Sequence, residues 1–139
     1  MRLSRGVALL LASSPLWAGC GGLTTNTELI AGVYDLVSVN NSPPPVVLQF
    51  IDEANQVVLE SGSVSIVADG NFTDATTYRI TELGLERSET DVIVGTWSFS
   101  GNRVSFDPGE GDSYTMTVNS GSTRLVQNIG GLVLVYLRQ

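Results

Sequence analysis

The feature that most constrains this chain is the way turn-forming residues divide it. From about Ile30 onward, Gly, Pro, Asn and Asp cut the sequence into short apolar runs. Several runs alternate apolar and polar residues, most plainly Tyr114–Val118. A period of two residues is typical of a half-buried β-strand. Because no run has the length and spacing of a long amphipathic helix, the sequence predicts an all-β domain.

The strongest turn signal is Asp69-Gly70, which lies between alternating residues on both sides. Asp-Gly favours a two-residue type I′ hairpin turn, because Gly adopts a positive φ without steric cost. Residues 43–45 are three prolines, which cannot lie inside a sheet and so predict an extended loop. The acidic stretch 82–91 has no clear alternation, and we expect an irregular loop there.

The turn signals leave eight or nine strands that are joined mostly by short loops. Short connections place sequence neighbours side by side, which predicts an antiparallel up-and-down meander. A meander of this length would expose two strand edges, and pairing the first strand with the last removes both. We therefore expect residues 30–139 to form a closed antiparallel β-barrel of eight or nine strands.

Residues 1–19 have the pattern of an export signal. Arg2 and Arg5 precede an unbroken apolar run at 6–12, and the first acidic residue is Glu28. A charged start followed by a short apolar run is typical of a signal peptide. The run is far shorter than the ~20 residues that span a bilayer. We expect residues 1–19 to be removed, and residues 20–29, which include Gly, Thr and Asn, to form a flexible tether.

The end of this segment, Leu16-Trp17-Ala18-Gly19-Cys20, resembles the lipobox of bacterial lipoproteins, although Trp17 stands where a lipobox usually has Leu. The resemblance implies cleavage between Gly19 and Cys20 and lipidation of Cys20, the only cysteine of the chain. Two or three acyl chains would anchor the protein permanently in the membrane of the cell envelope. The residue after the cysteine is Gly21 and not Asp. By the same resemblance, this implies that the protein is sorted to the outer membrane, where it faces the periplasm. Ordinary cleavage after Ala18 is the alternative.

Composition excludes several classes of function. The chain of 139 residues has a net charge of −7, with no His and no Lys. An acidic surface argues against nucleic-acid binding. Without His there is no Ser-His or Cys-His nucleophile pair and no imidazole for a catalytic zinc, and without Lys there is no Schiff base. We expect no enzymatic activity and no cofactor.

The acidic turn 107–112 lacks the spacing of a calcium loop, so we expect no metal site.

Three short motifs resemble lipocalin-like (calycin-like) domains of small bacterial lipoproteins, whose function is unassigned. They are Gly32-Val33-Tyr34, Gly95-Thr96-Trp97 and Val135-Tyr136-Leu137-Arg138. In lipocalins an arginine near the end of the last strand packs across a Trp of the first strand and closes the base of the barrel. The resemblance implies that Arg138 packs on Tyr34, which stands in for that Trp, or on Trp97.

The inward positions of the predicted strands hold many aromatic side chains. If the barrel is hollow, they line a cavity for one small apolar molecule, and the protein is a membrane-anchored binding or accessory module. If they fill the barrel, the protein is a structural or interaction lipoprotein that works through surface loops, such as 43–45 or 82–91. The residues expected to line a cavity are Phe50, Phe72, Tyr78, Trp97, Phe99, Phe106, Tyr114 and Met116.

Overall fold

The alternating runs form nine antiparallel strands in the computed structural model, which describes residues 29–139. The predicted signal peptide, Cys20 and the tether up to residue 28 lie outside the described residues. None of the described residues belongs to a helix long and apolar enough to cross a membrane. The strands are β1 (Gly32–Val39), β2 (Val46–Asp52), β3 (Asn55–Ile66), β4 (Asn71–Glu82), β5 (Leu85–Ser100), β6 (Arg103–Asp107), β7 (Tyr114–Val118), β8 (Arg124–Ile129) and β9 (Leu132–Arg138).

The sheet closes into a barrel because β1 pairs with two strands. The order is β1-β9-β8-β7-β6-β5-β4-β3-β2, and β1 pairs in addition with β3. Eight strands therefore form the ring, and β2 is an extra strand on β3. The predicted closed up-and-down barrel is confirmed, including the pairing of the first strand with the last.

The two ends of the barrel differ. At the end where the chain enters, which we call the closed end, β1 pairs with β3 through residues 32–35. Farther along, β1 stays paired with β9 as far as Val39, whereas β3 pairs with β2 through residues 55–59. Strands β1 and β3 thus separate toward the opposite end, which we call the mouth. The loops around the mouth are 40–45, 53–54, 83–84, 108–113 and 130–131.

The position predicted for the Asp69-Gly70 turn is right, and its type is wrong. Residues 67–70 form a four-residue loop at the closed end, in which the Gly70 N–H donates to the Val67 carbonyl at 3.0 Å. A type I′ turn needs positive φ at both central residues. Here Gly70 has a φ of 104°, while Asp69 is not among the residues with positive φ. The Asp69 side chain instead accepts the Asn71 N–H at 3.0 Å.

The predicted acidic loop 82–91 is wrong. These residues continue β4 into β5, which pair without a break from Asn71↔Thr96 to Glu82↔Leu85. The turn between them is Leu83-Gly84, where φ is 51° and 78°, as in a type I′ turn. Alternation is missing because residues 85–94 of β5 are exposed on both faces. Within the described residues, this part of β5 has a paired strand on one side only, since β6 joins it at Thr96.

Apolar side chains on the inner faces fill the barrel toward the closed end. Leu125, Val64 and Val104 have no exposed surface, and the Phe106 ring is equally enclosed. Burial of one such side chain stabilises the fold by about 1.5–3 kcal/mol. Within the described residues, this core cluster runs from Ile30 to Tyr136. Residues 29–139 thus contain a closed barrel with a hydrophobic core, and we expect them to fold on their own.

Tyr34 and Arg138 hold the start of the chain across the closed end. The Arg138 guanidinium carbon lies 5.3 Å from the centre of the Tyr34 ring, within the range of a cation–π contact. Its Nη2 donates to the carbonyls of Leu29 and Ala31, both at 2.6 Å. The Tyr34 hydroxyl donates to the Ile30 carbonyl at 2.7 Å and accepts from Arg138 at 3.1 Å. These contacts keep Ile30 buried against the core.

Replacing Tyr34 with Phe should destabilise the protein by about 1–2 kcal/mol, because it removes a buried hydroxyl that binds both the Ile30 carbonyl and Arg138. Urea unfolding followed by circular dichroism measures the loss. The matched control is Tyr78→Phe, which removes a hydroxyl at the mouth and should change stability much less. Equal losses from the two substitutions would show that the closed end does not depend on the Tyr34 hydroxyl.

Candidate functional site

A cavity of about 530 Å³ opens at the mouth. Its walls come from β2, β3, β4 and the mouth half of β5 on one side, and from β7, β8, β9 and the turn between β8 and β9 on the other. Most of the lining is apolar or aromatic, and this volume lies within the range of small-molecule sites in proteins. The lining residues are Leu48, Leu59, Asp74, Thr76, Tyr78, Asp91, Ile93, Asp112, Ser113, Tyr114, Gln127, Ile129, Gly130, Leu132, Leu134 and Tyr136.

An aromatic cluster closes the cavity toward the barrel interior. The Phe72 and Phe106 rings meet edge to face with centres 4.8 Å apart. The Tyr114 ring stacks on Phe106 at 5.1 Å. Such pairs add about 0.5–1.5 kcal/mol to the free energy gained from burial. Because Tyr114 belongs both to this cluster and to the cavity lining, the barrel is filled below it and hollow above it.

Asp74 is the buried acid of the cavity. Strand alternation places it inward between Phe72 and Thr76, and only 7% of its surface is exposed. The Tyr114 hydroxyl donates to its Oδ2 at 2.7 Å. Burial raises the pKa of the Asp74 carboxyl above its ordinary value of 3.8, and the hydrogen bond from Tyr114 opposes this only in part. The fold therefore holds a carboxyl group whose charged form is poorly solvated.

Three tyrosines line the same cavity as this acid. Burial raises the pKa of Tyr114, and the negative charge of Asp74 raises it further. The pKa of Tyr136 is raised for the same two reasons. The pKa of Tyr78 is raised by burial first and then by the charges of Asp91 and Asp74. All three phenols therefore remain neutral at physiological pH, and all three residues line the cavity.

The structure brings some of the predicted lining residues to the cavity and leaves others out. Tyr78 and Tyr114 line it. Phe72, Phe106 and Met116 lie in the filled core below. Trp97 and Phe99 lie toward the closed end, where the Trp97 indole N–H donates to the Val67 carbonyl at 2.8 Å. Trp97 is thus held by the backbone, and the guanidinium of Arg138 lies over Tyr34 instead.

Phe50 does not line the cavity, because 61% of its surface is exposed. The pairing of β2 with β3 shifts register between Val47 and Gln49 and again between Phe50 and Asp52. Each such irregularity changes the face on which the following side chains lie, so simple alternation along β2 fails. Leu48, which alternation puts on the same face as Phe50, does line the cavity.

Sequence reasoning missed several residues of the site. Asp91 falls in the stretch 82–91 for which the sequence predicted a loop, and Asp74 was not singled out. Strand alternation with Phe72 and Tyr78 is nevertheless enough to place Asp74 on the inner face of β4. Leu132, Leu134 and Tyr136 share one face of β9 in the same way. The signal for all of them was strand alternation, applied to every residue type and not only to aromatic ones.

Two smaller features complete the description. One hollow of about 390 Å³ lies between the tips of β2, β3 and β4, and another of about 510 Å³ lies at the closed end near Phe99 and Val118. Residues 29–139 contain no group of three acidic, His or Cys side chains arranged to hold a metal ion. The acidic turn 107–112 therefore has no such group within the described chain.

Asp74→Asn should stabilise the protein at neutral pH. Because the pKa of Asp74 is raised in the folded state, the folded protein binds a proton that the unfolded chain has already released. The free energy of unfolding therefore falls as pH rises from 3.8 through the folded-state pKa, and the full penalty is present above it. Asn is uncharged at every pH and can still accept from Tyr114.

Urea unfolding of both proteins from pH 3 to pH 8 checks this expectation. The advantage of Asp74→Asn should be largest at neutral pH and should disappear in acid. Glu53→Gln removes a carboxylate from the exposed turn between β2 and β3 and is the matched control. A variant less stable than the original protein by the same amount at every pH would contradict the assignment of Asp74 as a penalised buried charge.

No model of a known protein family matches the chain, and neither the curated proteins nor the solved structures show a significant match.

Proposed function

We propose that this protein is a non-enzymatic, lipocalin-like binding lipoprotein that holds a small apolar molecule in the cavity at the mouth. The observation that carries the proposal is the open cavity of about 530 Å³ above the Tyr114 ring, which is lined mainly by apolar and aromatic side chains. A site of this kind gains affinity from burial of the apolar part of a ligand. A few polar groups, here Asp74 and Gln127, can fix its orientation.

The lipid anchor is the second part of the proposal, and it rests on the lipobox resemblance at Cys20. The described chain begins at the closed end, where Arg138 binds the carbonyls of Leu29 and Ala31. Only a short segment separates Cys20 from Leu29. A lipid on Cys20 would hold the closed end toward the membrane and leave the mouth turned away from it. Ligand would then reach the cavity from the aqueous side.

A second candidate function is docking of another protein on the upper part of β5. Residues 85–95 carry backbone groups that no described strand satisfies on one side. Val92 and Val94 are each 59% exposed on the outer face there. An extended segment of a partner can add to such an edge through main-chain hydrogen bonds. The protein would then be the structural or interaction lipoprotein of the second hypothesis. Strand β5 would supply the docking surface that the sequence analysis expected of the 82–91 loop.

Leu132→Trp should weaken ligand binding, because Leu132 lines the cavity and an indole would occupy part of its volume. The matched control is Val133→Trp, since the next residue of β9 lies on the outer face with 40% of its surface exposed. The probe is N-phenylnaphthylamine, an uncharged fluorophore whose emission rises on leaving water. We expect saturable binding to residues 29–139, a loss of about tenfold or more in affinity for Leu132→Trp, and little change for Val133→Trp.

Absence of saturable binding, or equal binding by both variants, would contradict a ligand site in the cavity.

Cys20→Ala should release the protein from the membrane, because the thiol that carries the lipid is then missing. Cells that make the original and the variant chain are fractionated, and the distribution between membrane and soluble fractions is compared by immunoblot. Gly21→Ala, which keeps the cysteine, is the control and should remain in the membrane fraction. Retention of Cys20→Ala in the membrane would argue against lipid anchoring.

A further inference from the structure

We infer that the ligand of the mouth cavity is a cationic amphiphile, with an ammonium group held between Asp74, Asp91 and the tyrosine rings and an apolar chain on the leucine and isoleucine wall. This inference rests on the proposed function, because it names the class of ligand for the same cavity. It is drawn from the charge, burial and ring placement of the lining residues.

The charges around the cavity have one sign. The lining includes Asp74, Asp91 and Asp112, and no arginine among the described residues contributes to it. Asp74 lies on β4 and Asp91 on β5, while Asp112 lies on the loop before β7. Asp74 is buried, whereas Asp91 and Asp112 are exposed at the rim, and together they give this concave space a negative potential.

The two arginines in the mouth half of β4 and β5, Arg79 and Arg87, each form ion pairs with glutamates. Arg79 lies 2.9 Å from Glu60, and Arg87 lies 3.1 Å from Glu82. Arg138 is at the closed end, bound to the carbonyls of Leu29 and Ala31. Among the described residues, no ion pair joins an arginine to Asp74, Asp91 or Asp112.

Asp74 gains most from a ligand cation. Its carboxylate has about four acceptor positions, of which the Tyr114 hydroxyl uses one. With only 7% of its surface exposed, water solvates the rest poorly. A positive group placed beside it would offset the cost of burying its charged form. A ligand carboxylate in the same place would add a second poorly solvated negative charge.

The tyrosine rings fit the same head group. Tyr78, Tyr114 and Tyr136 all line the cavity. The faces of aromatic rings attract cations, and proteins recognise quaternary ammonium groups with several rings around one space. Neutral phenols also offer hydroxyl groups to a ligand that carries N–H donors. Aromatic faces and carboxylates thus favour one type of head group, an ammonium.

A separate apolar part of the cavity wall can bind the apolar part of the ligand. Leu132, Leu134 and Ile129 line the cavity from β8 and β9, and Ile93 lines it from β5. An alkyl chain or a ring system on these side chains would lose contact with water. The aspartates and tyrosines together with the apolar wall favour an amphiphile as the ligand. A small, fully hydrated cation would gain no binding free energy from contact with the apolar side chains.

The test compares three ligands that share a decyl chain and differ in head group. Decyltrimethylammonium, decanol and decanoate are titrated into residues 29–139 by calorimetry, each below its micelle concentration, at neutral pH and low salt. We expect the cation to bind about tenfold or more tightly than the alcohol, and the alcohol more tightly than decanoate. Added salt should reduce the differences between the head groups, because it screens charges near the mouth.

Two variants locate the effect. Asp91→Asn removes an exposed carboxylate from the rim and should reduce the advantage of the cation over decanol several-fold, with little change for decanol itself. Glu53→Gln makes the same change in net charge outside the cavity lining and should leave the advantage intact. Equal effects of the two variants would show that net charge, and not the cavity, favours the cation.

The outcomes separate this inference from the proposed function. If decanol or decanoate binds as tightly as the cation, and Leu132→Trp weakens all three, the cavity is a binding site and the ammonium assignment is wrong. If none of the three ligands binds, both proposals fail. Preference for the cation that is lost in Asp91→Asn and kept in Glu53→Gln supports the ammonium site.

Discussion

The double pairing of β1 determines the form of this molecule. Near the closed end β1 is hydrogen-bonded to both β3 and β9, and this completes the ring. Beyond Asp35, β1 keeps only β9, and β2 takes the place of β1 on β3. Gly62 lies near the point of separation, where a Cβ atom would come within 3.3 Å of the Leu36 Cβ. One strand thus both seals the barrel at the bottom and lets its upper walls move apart.

The same arrangement explains why polar and apolar chemistry are found together in the cavity. A barrel of eight strands is just wide enough for side chains to fill it, as Phe72 and Phe106 do here. Above them the walls are farther apart, and Tyr114 has space on its upper side. A buried carboxylate such as Asp74 is tolerable at this boundary because one hydroxyl binds it from the filled side. In a fully packed core its remaining acceptor positions would have no partners.

Burial decided how much of the fold could be predicted from the sequence. Strands with one buried face, such as Tyr114–Val118, alternate plainly, and their positions and the closed barrel followed from that. The β4–β5 hairpin was missed because residues 85–94 are exposed on both faces and leave no periodic pattern. Its turn, Leu83-Gly84, also lacks the usual Asn-Gly or Asp-Gly signal, since Leu rarely adopts a φ of 51°. In contrast, the turn between β8 and β9 is Gly130-Gly131, which has positive φ at both positions and is a recognisable turn signal in the sequence.

The candidate site was harder to predict than the fold. Strand alternation correctly placed Tyr78 and Tyr114 at the cavity. It failed for Phe50 because the irregularity in β2 between Val47 and Gln49 changes the face of the side chains that follow, and nothing in the composition indicates such an irregularity. The packed core gives way to the cavity where β1 separates from β3. The sequence pattern of a single strand does not indicate where this separation occurs. The signal peptide and the lipidation of Cys20 remain predictions from the sequence.

The open side of β5 has a consequence for the behaviour of the protein in concentrated solution. An unpaired strand of this length can join identical strands into fibrillar aggregates. Its first half carries Glu86, Arg87, Glu89 and Asp91, and such ionic side chains act as gatekeepers against stacking of identical copies. Neutralising them would leave the apolar stretch from Val92 to Val94 as the dominant feature of that edge. The charged side chains of the β4–β5 hairpin would therefore oppose aggregation through this edge.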